Sequence, residues 1–98
     1  MIKAGDEILI KLKPLKDQIR RDFKVNDFWL FGSFVRGEQK SGSDIDFLVD
    51  FKKGATLLDL TALGFYLEET LGRKVDIVSR RAIHPKLKDR ILNETVNV

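Results

Sequence analysis

A chain of 98 residues, 43% hydrophobic and 34% charged, has the length and composition of one globular domain. It contains no cysteine, which excludes disulfides and thiolate metal sites, and its formal charge of +3 is only a mild basic excess. The apolar runs are far shorter than the roughly 20 residues of a membrane-spanning helix, and residues 1–13 show no export signal. We therefore expect a single cytoplasmic domain over residues 1–98, without a membrane partner.

The first predicted element is a helix that Pro14 interrupts. Asp6 is the candidate for its amino-terminal cap. Proline inside a helix removes a hydrogen bond and clashes with the preceding turn, so we expect a kink or a split at Pro14. Apolar residues recur along this segment at steps of three and four, namely Ile8, Leu12, Leu15, Ile19 and Phe23.

Three short strands are predicted next. Residues 27–31 form a buried strand that ends at Gly32, and residues 74–78 form a third strand near the carboxyl end. Between them, residues 44–51 alternate as a strand does. One face of this second strand carries Ile45, Phe47, Val49 and Phe51, and the other carries Asp44, Asp46, Leu48 and Asp50.

Two further helices are predicted around the third strand. Residues 55–71 form an amphipathic helix that Gly72 ends. Pro85 opens a short last helix, which a tail over residues 95–98 follows. The expected inward-facing residues are Leu57, Leu60, Leu63, Leu67 and Leu71 in the first of these helices, and Leu87 and Ile91 in the second.

The order of these elements favours an α/β (α+β) fold, in which helices cover a small mixed β-sheet. Only about a dozen residues separate the first two strands, which is little for a parallel crossover. A full helix joins the second and third strands, so we expect these two to be parallel.

Two aspartates flank one isoleucine where the second strand begins. On a strand, Asp44 and Asp46 leave the same face, and their like charges disfavour simultaneous ionisation unless a cation is present. Carboxylate oxygens suit Mg²⁺ or Mn²⁺. Asp76, an acid in the middle of the third strand, is the candidate third ligand. Three such acids could hold two metal ions.

Gly32 and Ser33, ten residues before Asp44, have the features of a phosphate site. A strand that ends in glycine and turns into a short helix presents free backbone amides and the positive end of the helix dipole. The Ser33 hydroxyl can donate a hydrogen bond to phosphate, and Arg36 could reach phosphate or pair with an acid of the site. The phosphate and metal features together predict a nucleoside triphosphate site.

The chain resembles the DNA polymerase beta-like nucleotidyltransferases, and within them the minimal nucleotidyltransferases of the antitoxin type. The resemblance covers nearly the whole chain, and its motif reads Phe31-Gly32-Ser33-Phe34-Val35-Arg36-Gly37, then Ser43-Asp44-Ile45-Asp46. It implies the polymerase beta-like fold, with Ser33 on the triphosphate, metals on Asp44 and Asp46, and Asp76 completing the site. Phe34 departs from the pattern, since the family often has tyrosine or serine there.

The same resemblance implies an enzyme that transfers a nucleoside monophosphate, AMP from ATP, to an acceptor hydroxyl with release of pyrophosphate. It also implies a partner, a small helical ribonuclease of the HEPN type, whose tyrosine is the acceptor and whose antitoxin is this chain.

Two other functions stay open at this point. One is a binding module that neutralises a partner protein without catalysis. The other is a basic nucleic-acid-binding domain, which the basic residues within 11–24 and 73–90 favour and the lack of aromatic-basic interleaving disfavours. A sugar-nucleotide glycosyltransferase with an Asp-x-Asp motif is excluded by length. His84 is expected in a loop, and Arg80 and Arg81 could face phosphates or a partner.

Overall fold

Four strands form one mixed sheet in the computed structural model, which describes residues 4–98. The strands are β1 (Val25–Phe31), β2 (Ile45–Phe51), β3 (Val75–Ser79) and β4 (Val96–Asn97). Their order across the sheet is β3-β2-β1-β4. β2 runs antiparallel to β1 and parallel to β3, and β4 pairs antiparallel with β1. The predicted mixed α/β (α+β) architecture is confirmed.

The helices are α1 (Ala4–Leu12), α2 (Lys16–Asp22), α3 (Ser33–Arg36), α4 (Leu57–Leu71) and α5 (Pro85–Asn93). Pro14 splits the first predicted helix as expected, because a 3-10 turn over Lys13–Leu15 separates α1 from α2. A second 3-10 turn, Arg80–Ala82, follows β3. Within residues 4–98, every helix is too short or too polar to cross a membrane.

The hydrophobic core lies between one face of the sheet and the helices α1, α2 and α4. Its most deeply buried side chains, each at most 1% exposed, are Leu12, Ile19, Val25, Phe28, Leu30, Ile45, Phe47, Val49, Leu63 and Leu67. Since side chains alternate along a strand, the aspartates of β2 and β3 leave the opposite face. The core therefore fixes the strands and places the aspartates on the opposite face, where Leu48 of β2 is fully buried as well.

Three expectations about the helices are wrong. Asp6 lies inside α1 rather than before it. Leu57 is 79% exposed, because the buried part of the α4 stripe begins only at Leu60, one turn into the helix. Leu87 is 49% exposed and borders a cleft instead of the core.

The carboxyl-terminal residues are not a tail. Val96 and Asn97 add an edge strand to β1, and Val98 is buried, with 5% exposure. The Val98 N–H donates to the backbone oxygen of Phe28 at 3.1 Å. This strand was missed because two residues are too few to show an alternating pattern.

Candidate active site

Two aspartates stand side by side on the face of the sheet opposite the core. β2 and β3 run parallel and in register, so that Asp46 and Asp76 are direct Cα partners. Asp44 lies one residue before β2 and two positions from Asp46, close enough for its charge to act on the Asp46 carboxyl group. The structure thus brings Asp46 and Asp76 together in one cleft, whereas Asp44, before the start of the strand, lines a separate hollow with Ser43 and Arg73.

The Asp46 carboxyl group has a raised pKa. Partial burial is the largest cause, and the negative charges of Asp76 and Asp44 raise it further, while the charge of Arg36 opposes them. Asp44 and Asp76 are exposed, whereas Asp46 is half-buried. Asp76 and Asp44 therefore both lie close enough to repel the Asp46 carboxylate, and a cation bound at Asp46 would relieve that repulsion.

The chemistry of this donor set fits magnesium. Its oxygens are hard ligands, and Mg²⁺ is usually held by one or two carboxylates together with substrate phosphates. Among residues 4–98, no three His, Cys, Asp or Glu side chains are grouped closely enough to hold a metal ion by themselves. Asp46 and Asp76 thus suit an ion that a substrate phosphate also ligates.

Gly32 packs directly against the Asp46 carboxylate. Its backbone has φ 81° and ψ −151°, a conformation that is essentially restricted to glycine. A Cβ at this position would overlap Oδ2 of Asp46. The glycine therefore makes room for the aspartate, a role that the sequence did not reveal, because Gly32 follows β1 whereas Asp46 lies on β2.

The short helix α3 begins at Ser33, immediately after this glycine. The N–H groups of Val35 and Arg36 donate to the Gly32 oxygen at 3.1 and 3.2 Å and close its single turn. Phe34, 4% exposed, anchors the turn in the core. Ser33 is half-buried and lies next in sequence to the glycine that contacts Asp46.

Arg36 forms two ion pairs. Its Nε lies 3.0 Å from Oε2 of Glu38, and its Nη1 lies 3.2 Å from Oε2 of Glu94 near the end of the chain. Arg36 thus pairs with acids, although its partners are these glutamates rather than the three aspartates, and its contact with phosphate stays a prediction. Its charge still lowers the pKa of Asp46.

A cleft of about 380 Å³ lies beside Asp46 and Asp76. Arg36, Arg90 and Glu94 contribute charged groups to it. Its apolar lining comes from the sheet and from α5, through Phe31, Val78, Leu87 and Ile91. The cleft therefore offers carboxylates for a metal-bound phosphate together with apolar surface for a ring.

Two other conspicuous residues have structural contacts. Nδ1 of His84 accepts a hydrogen bond from the Lys86 N–H at 3.1 Å, so His84 caps α5. The guanidinium of Arg80 lies 5.7 Å from the ring centre of Trp29. The sequence signal for the His84 cap was a polar residue directly before the proline that opens a helix.

Comparison with known proteins agrees with this geometry. Residues 12–98 match the family described as the nucleotidyltransferase domain. This chain belongs to that family. The nucleotidyltransferase match includes the glycine turn at Gly32 and all three aspartates of the site, Asp44, Asp46 and Asp76.

Named relatives in this nucleotidyltransferase family extend over most of the chain. The Thermococcus cleftensis protein named protein adenylyltransferase MntA is 40% identical over 93 residues, which cover 95% of this chain and 94% of the relative. A Methanocaldococcus jannaschii protein provisionally named a protein adenylyltransferase is 58% identical over 69 residues, covering 70% of this chain and 74% of the relative.

Solved structures share the fold. One that is provisionally described as a minimal nucleotidyltransferase has a TM-score of 0.82 and 37% identity, covering 94% of each chain. A complex of a tri-AMPylated Shewanella oneidensis HEPN toxin with its MNT antitoxin contains a chain with a TM-score of 0.65 and 21% identity. That alignment covers 92% of this chain and 70% of the other, and likeness at this identity shows the fold alone.

Proposed function

We propose that this nucleotidyltransferase is a magnesium-dependent protein adenylyltransferase, which moves AMP from ATP to a hydroxyl of a small helical HEPN-type partner. The observation that carries the proposal is the in-register pair Asp46 and Asp76 beside the Gly32 turn. The likeness to a relative named protein adenylyltransferase, over almost the full length of both chains, supports a protein as acceptor. The fold neighbour bound to an AMPylated HEPN toxin supports the class of partner.

The residues of the proposed site have different tasks. Asp44, Asp46 and Asp76 would hold Mg²⁺, which when bound neutralises phosphate charge and activates the attacking oxygen. Gly32 leaves space for the Asp46 carboxylate, and the Ser33 hydroxyl donates a hydrogen bond to a triphosphate oxygen. Arg36 places a positive charge close to these groups.

The transfer itself needs orientation and charge stabilisation more than covalent help from the protein. The acceptor oxygen bonds to the α-phosphorus, and the bond from that phosphorus to the bridging oxygen breaks. Pyrophosphate leaves with the electron pair, and the acceptor proton passes to solvent. The apolar lining of the cleft, with Leu87 and Ile91 on α5, suits the adenine ring or the aromatic ring of a tyrosine acceptor.

The test uses the purified partner, Mg²⁺ and ATP labelled at the α-phosphate. We expect the wild type to label the partner, and Asp46→Asn and Asp76→Asn to lose at least about 100-fold of the rate, because each removes a metal ligand. Asp17→Asn is the control, since Asp17 is an exposed carboxylate of α2 and does not line the cleft.

EDTA should abolish the label as well, since the proposed site needs the metal ion to offset three carboxylates. If the wild type and Asp46→Asn silence the partner equally well and neither transfers label, this chain is a binding module and not an adenylyltransferase.

A further inference from the structure

Arg73 contacts two separate segments next to the proposed site, the loop before Asp44 and the α3 turn. It lies between α4 and β3, three residues before Asp76. Its Nη2 donates a hydrogen bond to the backbone oxygen of Ser41 at 2.7 Å and lies 3.4 Å from that of Lys40. The carbon of the same guanidinium lies 5.3 Å from the centre of the Phe34 ring.

The loop that Arg73 contacts leads directly into Asp44. Residues 37–44 contain neither helix nor strand. Within the loop, the hydrogen bonds from Lys40 N–H to Ser43 Oγ at 2.8 Å and from Ser43 N–H to the Lys40 oxygen at 3.0 Å close a local turn. Arg73 connects this turn to the rest of the fold.

The contact with Phe34 extends the same connection to α3. Phe34 is buried in the core and belongs to the turn that follows Gly32 and Ser33. The guanidinium of the half-buried Arg73 thus contacts both the α3 turn and the loop before Asp44. A guanidinium has five donors in a fixed planar arrangement and is more weakly hydrated than an ammonium group, so it suits a site that combines carbonyl oxygens with an aromatic ring.

We propose that Arg73 is a positioning residue of the nucleotide site. It holds the loop of residues 37–44 so that Asp44 stays beside Asp46 and Asp76, and it keeps the α3 turn in place relative to that loop. This inference rests on the proposed function for its nucleotide-binding measurement. A site that is ordered before substrate arrives loses less conformational freedom on binding, so loss of the contact weakens Mg-ATP binding although no ligand is removed.

Lys16 is a matched control for the loss of a bridging cation. Its Nζ lies 3.2 Å from Oδ1 of Asp27 and 3.2 Å from Oδ1 of Asn97, so it joins α2 to β1 and β4. Lys16, Asp27 and Asn97 do not line the cleft beside Asp46 and Asp76. Lys16→Ala therefore removes a cross-element contact comparable with that of Arg73 and leaves the proposed site untouched.

The experiment compares the wild type, Arg73→Ala, Arg73→Lys and Lys16→Ala at a temperature where all four are folded by circular dichroism. Calorimetric titration with Mg-ATP should show a dissociation constant about tenfold higher for Arg73→Ala, with part of the affinity restored in Arg73→Lys. Lys16→Ala should bind like the wild type. Hydrogen exchange without nucleotide should accelerate at amides 39–44 in Arg73→Ala and not in Lys16→Ala.

Unchanged Mg-ATP affinity and unchanged exchange in Arg73→Ala would overturn the inference. So would an equal loss of affinity in Lys16→Ala, because the effect would then follow stability alone. If Arg73→Ala does not fold, the same measurements on Arg73→Lys decide. A wild type that does not bind Mg-ATP would refute the proposed function instead, and the exchange measurement would still test whether Arg73 holds the loop.

Discussion

Gly32 and Asp46 are packed so closely that Gly32 cannot gain a Cβ unless the Asp46 carboxylate moves. Gly32→Ala adds a Cβ that overlaps the Asp46 carboxylate in a backbone conformation at φ 81°. The backbone strain costs about 1–3 kcal/mol, and the overlap adds about 1–3 kcal/mol. We expect a lower free energy of unfolding in urea and the loss of Mg-ATP binding, because Asp46 has to move.

Gly54 separates the two contributions to that loss. It also has a positive φ, 91°, but nothing lies within 4 Å of the place where a Cβ would stand. Gly54→Ala should therefore show the strain without the overlap, and should bind Mg-ATP like the wild type. Equal destabilisation and equal binding in the two variants would mean that Asp46 does not need the space.

The raised pKa of Asp46 makes the stability of the metal-free protein depend on pH. Burial, Asp76 and Asp44 all raise this pKa above its value of about 3.9 in an unfolded chain. The folded protein thus holds the Asp46 proton more tightly, and the resulting stabilisation is complete below about pH 4 and disappears as the pH rises through the folded pKa. Ionised Asp46 destabilises the fold at pH 7.

Asp46→Asn should therefore raise the free energy of unfolding at pH 7 in EDTA, and should raise it less at pH 3. Urea unfolding at the two pH values measures the difference. Asp50→Asn, the same change elsewhere on β2, controls for the loss of a carboxylate as such. A loss of stability at pH 7 in Asp46→Asn would contradict the electrostatic argument.

The sequence did not reveal those contacts of the site that join residues far apart in the chain. The three aspartates could be selected because acids at strand positions are rare. The pairing of Arg36 with Glu94 could not be predicted, because 58 positions separate the two residues and no local pattern relates them. The contact of Gly32 with Asp46 likewise depends on how β1 and β2 pair, where Asp46 faces Phe31.

At the scale of elements, connection lengths predicted more than side-chain patterns did. The helix between β2 and β3 required a parallel pair, and that pair places Asp46 beside Asp76. The leucine pattern predicted α4 itself but not how far the helix extends past the core, so Leu57 was wrongly expected to be buried. β4 depends on tertiary pairing with β1 and had no signal in two residues.

The start of α4 depends on a capping box. Thr56 Oγ1 accepts from the Leu58 N–H at 3.2 Å, and Asp59 Oδ2 accepts from the Thr56 N–H at 2.9 Å. Thr56→Ala removes one half of this exchange and should lower the free energy of unfolding by about 1 kcal/mol. Thr61→Ala is the control, since Thr61 is exposed in the same helix. Equal effects of both changes on thermal unfolding would mean that the cap does not matter.

At the scale of the whole molecule, the distribution of charge indicates how a partner would approach. Residues 80–90 carry five basic side chains and one acidic side chain. Arg90 lines the cleft beside Asp46, and Arg81 and Lys88 line a neighbouring hollow. The basic residues of segment 11–24 lie in α1, in α2 or in the turns that follow these helices, on the core side of the sheet. Of these two basic segments, residues 80–90 alone contribute a basic side chain, Arg90, to the cleft beside Asp46.

We therefore predict that an acidic surface of the partner docks on residues 80–90. Arg81→Glu/Lys88→Glu should slow association with the partner by at least about tenfold at low salt and weaken its salt dependence, because electrostatic steering acts mainly on the association rate.

Arg20→Glu/Arg21→Glu makes the same change in net charge on exposed residues of α2, and should have a much smaller effect. Stopped-flow association measures both variants, and Mg-ATP titration should show that neither has changed the nucleotide site. If both pairs slow association equally, the effect comes from net charge and not from a docking surface. If only Arg20→Glu/Arg21→Glu slows it, the partner approaches from the core side, and the acceptor hydroxyl would have to reach Asp46 and Asp76 around the edge of the sheet.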